Sequence, residues 1–335
     1  MRNWKSAIGI ALSVALLWWT LKDVSLAAVW TELQRSNRWL FLASTIAATL
    51  IFPLRAIRWR IILEPVAPAI SLGPLWRSIA IGGMVNNLVP ARAGELARAY
   101  ALTKETNVSF ATALASLAVD RLFDMVVLLG LGVVALLDPA FPRGARIAGQ
   151  TLGDLAQGSI VLVVVLVSAL YMLAIFPSQL VRAFEMFARR VSPAVEERGK
   201  SALLRFSAGL SVLKSPGRFL AVLWWTIAHW LMNALAFWLG FKAVGIDLGF
   251  WAALFLQMLV AIGVALPSAP GFFGVFEKFA TVGLAIYGVT ATAATSWAIG
   301  FHILSFIPVT VIGIYYFSRL GLSLGEMRTQ TENPR

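Results

Sequence analysis

An all-α polytopic membrane protein built from two related halves is what this sequence predicts, on three observations. The 335 residues are 59% hydrophobic and 13% charged, where a soluble globular protein is about 45–50% apolar and about 25% charged; the mean hydropathy is +0.80. Several apolar runs approach the roughly 20 residues needed to cross a bilayer. Two Pro-x-x-x-Gly breaks, opening at Pro90 and Pro267, stand 18 and 19 residues after Leu72 and Leu248, each leucine followed by glycine. Together these predict an inverted repeat of about six full spans and two broken or re-entrant helical hairpins in one integral membrane domain covering 1–335. The halves run from about 5 to 140 and from about 158 to 318.

The first run, Ser6 to Leu21, follows Arg2 and Lys5 and reads as a span whose Trp18-Trp19 pair anchors it at the interface. The alternative for it is a signal peptide cleaved near Ser25-Leu26-Ala27. Val24 to Arg35 reads as a short amphipathic surface helix. The second span, Trp39 to about Ile62, has Pro53 as a kink, and Arg55, Arg58 and Arg60 mark its exit into the headgroups. Leu72 to Val89 is interrupted by Gly82-Gly83 and Asn86-Asn87 and stopped at Pro90, and the arm that follows, Glu95 to Leu102, is too short to cross. Such a segment enters and returns, which is tolerated only where protein or a wet cavity satisfies the backbone.

The third span, about Ser109 to Leu137, carries Asp120, Arg121 and Asp124, and the fourth is Ser159 to Phe176. Pro177 to Pro216 is a polar insert of amphipathic surface helices, too small for a catalytic domain. The fifth span, Phe219 to Phe241, holds His229 and Asn233, expected to bond across helices. Trp251 to Leu266 leads into the second break at Pro267, Pro270 and Gly271, then an arm from Phe272 to Tyr287 and a last span from about Thr292 to Phe317. The segment Ala111-Thr112-Ala113 with Ser116 and Ala118 recurs as Ala291-Thr292-Ala293 with Ser296 and Ala298. An odd number of crossings per half inverts the second half relative to the first, the recurring architecture of transporters.

The net charge is +12, but the basic residues lie at the ends of hydrophobic runs, where lipid phosphates are the nearer anions, so nucleic acid is not the expected partner. With cytoplasmic termini, 20 Lys and Arg residues fall on the cytoplasmic side and 7 on the other. That split places a multi-pass protein in the cell (inner) membrane with both termini inside. There are no cysteines and only His229 and His302 as imidazoles, which excludes thiolate chemistry and disfavours a zinc site or a serine triad. No cofactor is expected.

Asp120 and Asp124 share a helix face, and Arg121 reaches Asp124 at i+3. A charge at bilayer centre costs about 2.5–3.5 kcal/mol, so the cluster faces protein or water, as a translocation site or as an ion pair pinning the span to the first hairpin through Arg92 or Arg98. Neutralising either aspartate is expected to preserve insertion and abolish translocation. Arg92 and Arg98 flank Gly94 at the start of a helical arm, a place for a phosphate or for interfacial anchoring, while Glu95 complements the helix dipole. Asn87, with Asn86, caps or lines the hairpin. Gly271 and Gly274 let backbones approach, and Glu277 is either the partner of a cation, a titrating gate or part of an exposed pair with Lys278. His302 is read as a satisfied core histidine, with a proton relay as the alternative.

Three segments, Asn87 to Glu95 with Arg98, Asp120-Arg121 with Asp124, and Pro267 to Gly274 with Glu277, resemble the flippase-like transmembrane domain of lysylphosphatidylglycerol synthases and its stand-alone relatives. Asp120 departs from the glutamate expected before the arginine. The chain ends soon after Phe317, without the aminoacyl-transferase domain of the two-domain synthases, so the resemblance implies lipid translocation rather than lysyl transfer. The expected partners are membrane lipids with anionic headgroups, with a homo-oligomer or a glycosyltransferase as further possibilities. The rival readings are a membrane enzyme or accessory subunit for lipid glycosylation, and a structural or regulatory protein without turnover.

Overall fold

The computed structural model describes residues 3–22, 24–89, 93–138, 140–142 and 215–327 except 324, with scattered positions between 146 and 186. The fourth predicted span and the amphipathic insert lie largely outside the described residues, and Pro90 and Arg92 lie outside them altogether. Among the described residues the regular structure is helical apart from β1 (Arg146–Ile147) and β2 (Gln150–Thr151), which pair antiparallel. The first half contributes α1 (Asn3–Leu21), α2 (Leu26–Arg35), α3 (Arg38–Leu63), α4 (Leu72–Leu88), α5 (Gly94–Glu105) and α6 (Phe110–Ala135). The second contributes α7 (Pro216–Ala243), α8 (Phe250–Val264), a 3-10 turn (Pro270–Phe272), α9 (Val275–Ile286) and α10 (Ala291–Arg319).

Three of the described helices, α3, α7 and α10, are long and apolar enough to cross a bilayer. At 26 residues α6 is as long as α3 but carries Asp120, Arg121 and Asp124 in its middle. The helices of the two hairpins are shorter: α4 has 17 residues and α8 has 15, while α5 and α9 have 12 each. At 1.5 Å per residue even α4 reaches roughly 25 Å, short of the roughly 30 Å hydrocarbon core. No single arm is long enough to cross alone, and the helices of each hairpin are interrupted where the sequence breaks fall. Equivalent caps open the long helix after each hairpin: Ser109 Oγ accepts the Thr112 N–H at 3.2 Å, and Thr290 Oγ1 accepts the Ala293 N–H at 3.4 Å.

Lipid tails are as apolar as leucine, so helices in a bilayer associate by close packing and hydrogen bonds rather than by escaping water. The most extensive pairing, α3 with α7, uses small residues: Ser44, Ala47 and Ala48 face Ala236 and Gly240, and Ser44 Oγ donates to the Ala236 carbonyl at 2.6 Å. Around this pair the contacts are reciprocal. α4 packs against α5 and α10, and α8 packs against α9 and α6. Two buried clusters result, one centred on Trp59 in the first half and one on Trp297 in the second.

The breaks are built by backbone proximity. A Cβ at Gly82 of α4 would stand 2.7 Å from the Gly94 carbonyl oxygen, and the Gly94 N–H donates to Asn86 Oδ1 at 2.9 Å, so the first hairpin closes on itself. In the second break Gly271 and Gly274 adopt φ of 67° and 84°, a region costly for side-chain-bearing residues. Helix α1 seals this break: Ser13 Oγ accepts the Ala269 N–H at 2.7 Å, and a Cβ at Gly274 would overlap the Ser13 backbone. The first run is thus packed against α9 as part of the fold.

Candidate functional site

The middle of α6 is where the charges of the first half converge. Asp120 is fully buried; Arg58 Nη2 lies 2.5 Å from its Oδ1, Arg98 Nη1 donates to its Oδ2 at 3.1 Å, and Arg55 Nη2 stands 3.8 Å away. Asp124 accepts from Arg58 Nη1 at 2.6 Å and from the Trp230 indole at 3.2 Å, with His229 Nδ1 3.8 Å distant. Arg121 pairs with Glu95 across from α5 and reaches Asp124 Oδ2 at 3.5 Å. The Arg98 guanidinium also lies 4.0 Å from the Trp59 ring centroid, a cation–π contact strengthened by loss of water.

The sequence singles out Asp120, Arg121, Asp124, Glu95 and Arg98, and the structure brings all five together. Arg58 corrects one expectation. The sequence places it at the headgroup boundary with Arg55 and Arg60, yet it is fully buried and bridges both aspartates, while Arg60 is exposed. Burying two carboxylates demands a bidentate partner, and Arg58 fills that place. Its signal was present in the spacing: Arg55, Arg58 and Ile62 share one helix face, and Arg60 does not.

The second half holds a smaller cluster. Glu277, 2% exposed, accepts the Gly274 N–H at 2.6 Å with Oε2, and its Oε1 lies 2.6 Å from His302 Nδ1. The imidazole is layered between Phe273 and Phe276, at 4.6 and 4.4 Å between ring centroids. Glu277 is therefore neither exposed nor paired with Lys278, and His302 is a buried histidine whose partner is a carboxylate. Asn87 joins the halves directly, donating to Thr310 Oγ1 at 2.7 Å.

Between the clusters lies a cavity of about 350 Å³ bounded by α3, α4, α7, α8, the 3-10 turn, α9 and α10. Its polar lining includes Arg55, Asn87, His229, Asn233, Gln257 and His302. Arg55 also borders a small pocket over the first hairpin with Gly94, Glu95, Arg98 and Arg121, so it connects cavity and charge cluster. Sequence reasoning passed over Gln257, although a lone amide inside the apolar run from Trp251 to Leu266 is itself a signal, since it must find a partner in lipid. Its partner is Asn233, whose Nδ2 donates to Gln257 Oε1 at 3.0 Å. Among the described residues no group of His, Cys, Asp and Glu is arranged to hold a metal ion.

Fold and site define a helical membrane protein with paired broken hairpins around a polar interior. Residues 6–313 match the family described as lysylphosphatidylglycerol synthase TM region, and the chain belongs to it. It is 26% identical to a protein named glycosyltransferase AglD from Haloferax volcanii, over 94% of this chain and 54% of that one, so it spans about half that relative's length. It is 22% identical to a UPF0104 membrane protein of Methanothermobacter thermautotrophicus over 96% of this chain and 97% of the relative. A second UPF0104 membrane protein of that organism is 25% identical over 93% and 91%.

Proposed function

We propose that the protein moves a lipid with an anionic headgroup between the leaflets of the cell membrane. One observation carries this reading. Among the described residues the cluster on α3, α5 and α6 sets the three guanidinium groups of Arg55, Arg58 and Arg98 around the two carboxylates of Asp120 and Asp124, beside the Arg121–Glu95 pair. The excess positive charge reaches the cavity through Arg55, whose Nε has no hydrogen-bond partner. Uncompensated charge inside an apolar bundle is costly and marks substrate pathways; a phosphate arriving in the cavity supplies the missing anion.

The reciprocal packing of α4 on α10 and of α8 on α6 supports reading the halves as inverted repeats, with each broken hairpin aimed at a shared central site. The Lys and Arg bias supports cytoplasmic termini, and it survives setting aside Arg58 and Arg98, which are buried rather than in loops. Reporter fusions after Ser215 and at the C-terminus check this; external activity at either position overturns the topology and the parity of the repeat.

The functional test is reconstitution in vesicles carrying a phosphatidylglycerol with a fluorescent tail, with an impermeant reductant bleaching the outer leaflet. The protein is expected to expose the inner pool to bleaching, and Arg55→Gln to abolish this while leaving the folded protein intact. Protein-containing vesicles that bleach no further than empty ones, whatever phosphate-bearing lipid is supplied, overturn the reading. The second reading, a membrane component of lipid glycosylation, is favoured by the relative named a glycosyltransferase; it predicts sugar transfer dependent on this chain.

A further inference from the structure

The cavity's chemistry is more specific than an affinity for anions. Among the described residues that line it there is no carboxylate: Arg55, His229 and His302 are its ionisable groups. Glu277, a buried acid of the second half, lies outside the lining, and each of its oxygens is engaged, one by the Gly274 N–H and one by the His302 ring. A headgroup carrying an ammonium, such as an aminoacyl ester, would meet a guanidinium and no carboxylate among the described residues of the lining. The arrangement selects against it.

What the lining does offer, away from Arg55, is aromatic faces and amide dipoles. Trp230, Phe272, Phe276 and Phe306 border the space. Gln257 is 1% exposed and its Nε2 has no hydrogen-bond partner, while its Oε1 is held by Asn233. A buried amide donor left unpaired costs the full desolvation of that group, so this one awaits an acceptor. With Nδ1 of His302 committed to Glu277, Nε2 is its remaining hydrogen-bonding atom. Ring faces bordered by a fixed amide donor and an imidazole are the chemistry that binds a sugar: the rings cover its C–H face and the polar groups reach its hydroxyls.

We propose that the cavity takes the headgroup of a sugar-phosphate lipid, with the phosphate at Arg55 and the sugar ring beside Trp230 and Phe306, its hydroxyls bonded by Gln257 and His302. This rests on the translocator reading for its direction of use, but it concerns binding alone. The volume of about 350 Å³ lies in the range of ligand pockets, about 300–1,000 Å³.

The test is direct binding to the full-length protein in detergent, read by native mass spectrometry. Three probes are used: a short-chain polyprenyl monophosphate, the same lipid bearing one hexose on the phosphate, and lysylphosphatidylglycerol. The glycosylated probe is expected to bind about tenfold or more tightly than the bare phosphate, with lysylphosphatidylglycerol weakest. Gln257→Leu is expected to bring hexose and bare-phosphate affinities within about twofold of each other, a cooperative thermal unfolding transition showing that the variant is folded. Arg55→Gln weakens both phosphates. Should Gln257→Leu not fold, Gln257→Asn retracts the amide by one methylene and is expected to narrow the same preference. Equal binding of the two polyprenyl phosphates, tightest binding of lysylphosphatidylglycerol, or a preference that survives both Gln257 variants overturns the proposal. Because no transport is measured, a protein that moves no lipid leaves this inference standing, and one that binds lysylphosphatidylglycerol most tightly defeats it whether or not it moves lipid.

Discussion

The two halves solve one structural problem with opposite chemistry. In each, the short arm after the break is tied to the following long helix by a buried ionisable pair: Arg98 of α5 to Asp120 of α6, and Glu277 of α9 to His302 of α10. The base sits on the arm in the first half and on the long helix in the second. The first pair belongs to a network reaching Arg55, Arg58, Arg121, Asp124 and Glu95; the second stands alone among aromatic rings. The difference teaches that one half supplies the charge of the cavity and the other its shape and dipoles. A single site with both properties needs one copy of each.

The largest effect should come from breaking the first pair. Asp120 is fully buried and is the carboxylate shared by Arg58 and Arg98, so Asp120→Asn leaves two buried guanidinium groups under-compensated. Breaking such a pair costs about 3–5 kcal/mol. The sequence alone suggested that an asparagine here would spare folding; the burial of Arg58 moves the expected outcome to a protein that unfolds early in detergent, read by helical circular dichroism against temperature. In Asp124→Asn the amide oxygen still accepts from Arg58 and the Trp230 indole, so that variant should fold and lose translocation. In Glu277→Gln the amide oxygen can accept the Gly274 N–H, a smaller loss of about 1–3 kcal/mol. If Glu277→Gln proves the more damaging, the assignment of charge to the first half is wrong.

A middle-sized effect separates the breaks themselves. Gly274 combines φ of 84° with contact against the Ser13 backbone, so Gly274→Ala adds left-handed strain to overlap, about 1–3 kcal/mol from the strain alone. Gly82 lies within helix α4, where alanine is the better helix former by about 1 kcal/mol, and this offsets part of its clash with the Gly94 carbonyl. Thermal unfolding should rank Gly274→Ala below Gly82→Ala. Equal losses would show that α4 and α5 are as tightly interlocked as α1 and the second break.

Much of this was legible in the sequence because membranes restrict the choices. Hydropathy and the paired Pro-x-x-x-Gly breaks located the helices and hairpins, and the cost of charge in an apolar run marked Asp120, Arg121 and Asp124. What periodicity cannot supply is the partner on another helix. Arg58 is 62 residues from Asp120, and Glu277 is 25 from His302; helix spacing sets the face of Arg58 apart from that of the exposed Arg60, but it names no partner on another helix. Gln257 was missed because a single amide barely lowers the hydropathy of its run, although its desolvation makes it conspicuous.

The smallest expected effect concerns a contact that ties the first hairpin to the segment after α10 and has no described counterpart in the second. Glu326 Oε2 accepts the Tyr100 hydroxyl at 2.5 Å and lies 3.4 Å from Lys104 Nζ, while Leu322 and Met327 are buried against the first-half core. The Tyr100 hydrogen bond, followed by Lys104, holds the Glu326 carboxyl below its ordinary range. A depressed carboxylate contributes above its unfolded pKa of about 4.3 and is lost only as pH falls through the lower folded value, so the latch should not respond between pH 8 and 5. Glu326 is exposed, and exposed pairs contribute little, so Glu326→Gln should speed tryptic cleavage after Arg319 by roughly twofold. Tyr100→Phe should match or exceed it, since phenylalanine removes the bond outright whereas glutamine loses the charge and keeps an oxygen that can accept the hydroxyl. If neither alters cleavage, burial of Leu322 and Met327 alone docks the segment, and the asymmetry between the hairpins then resides in their polar interiors rather than in this latch.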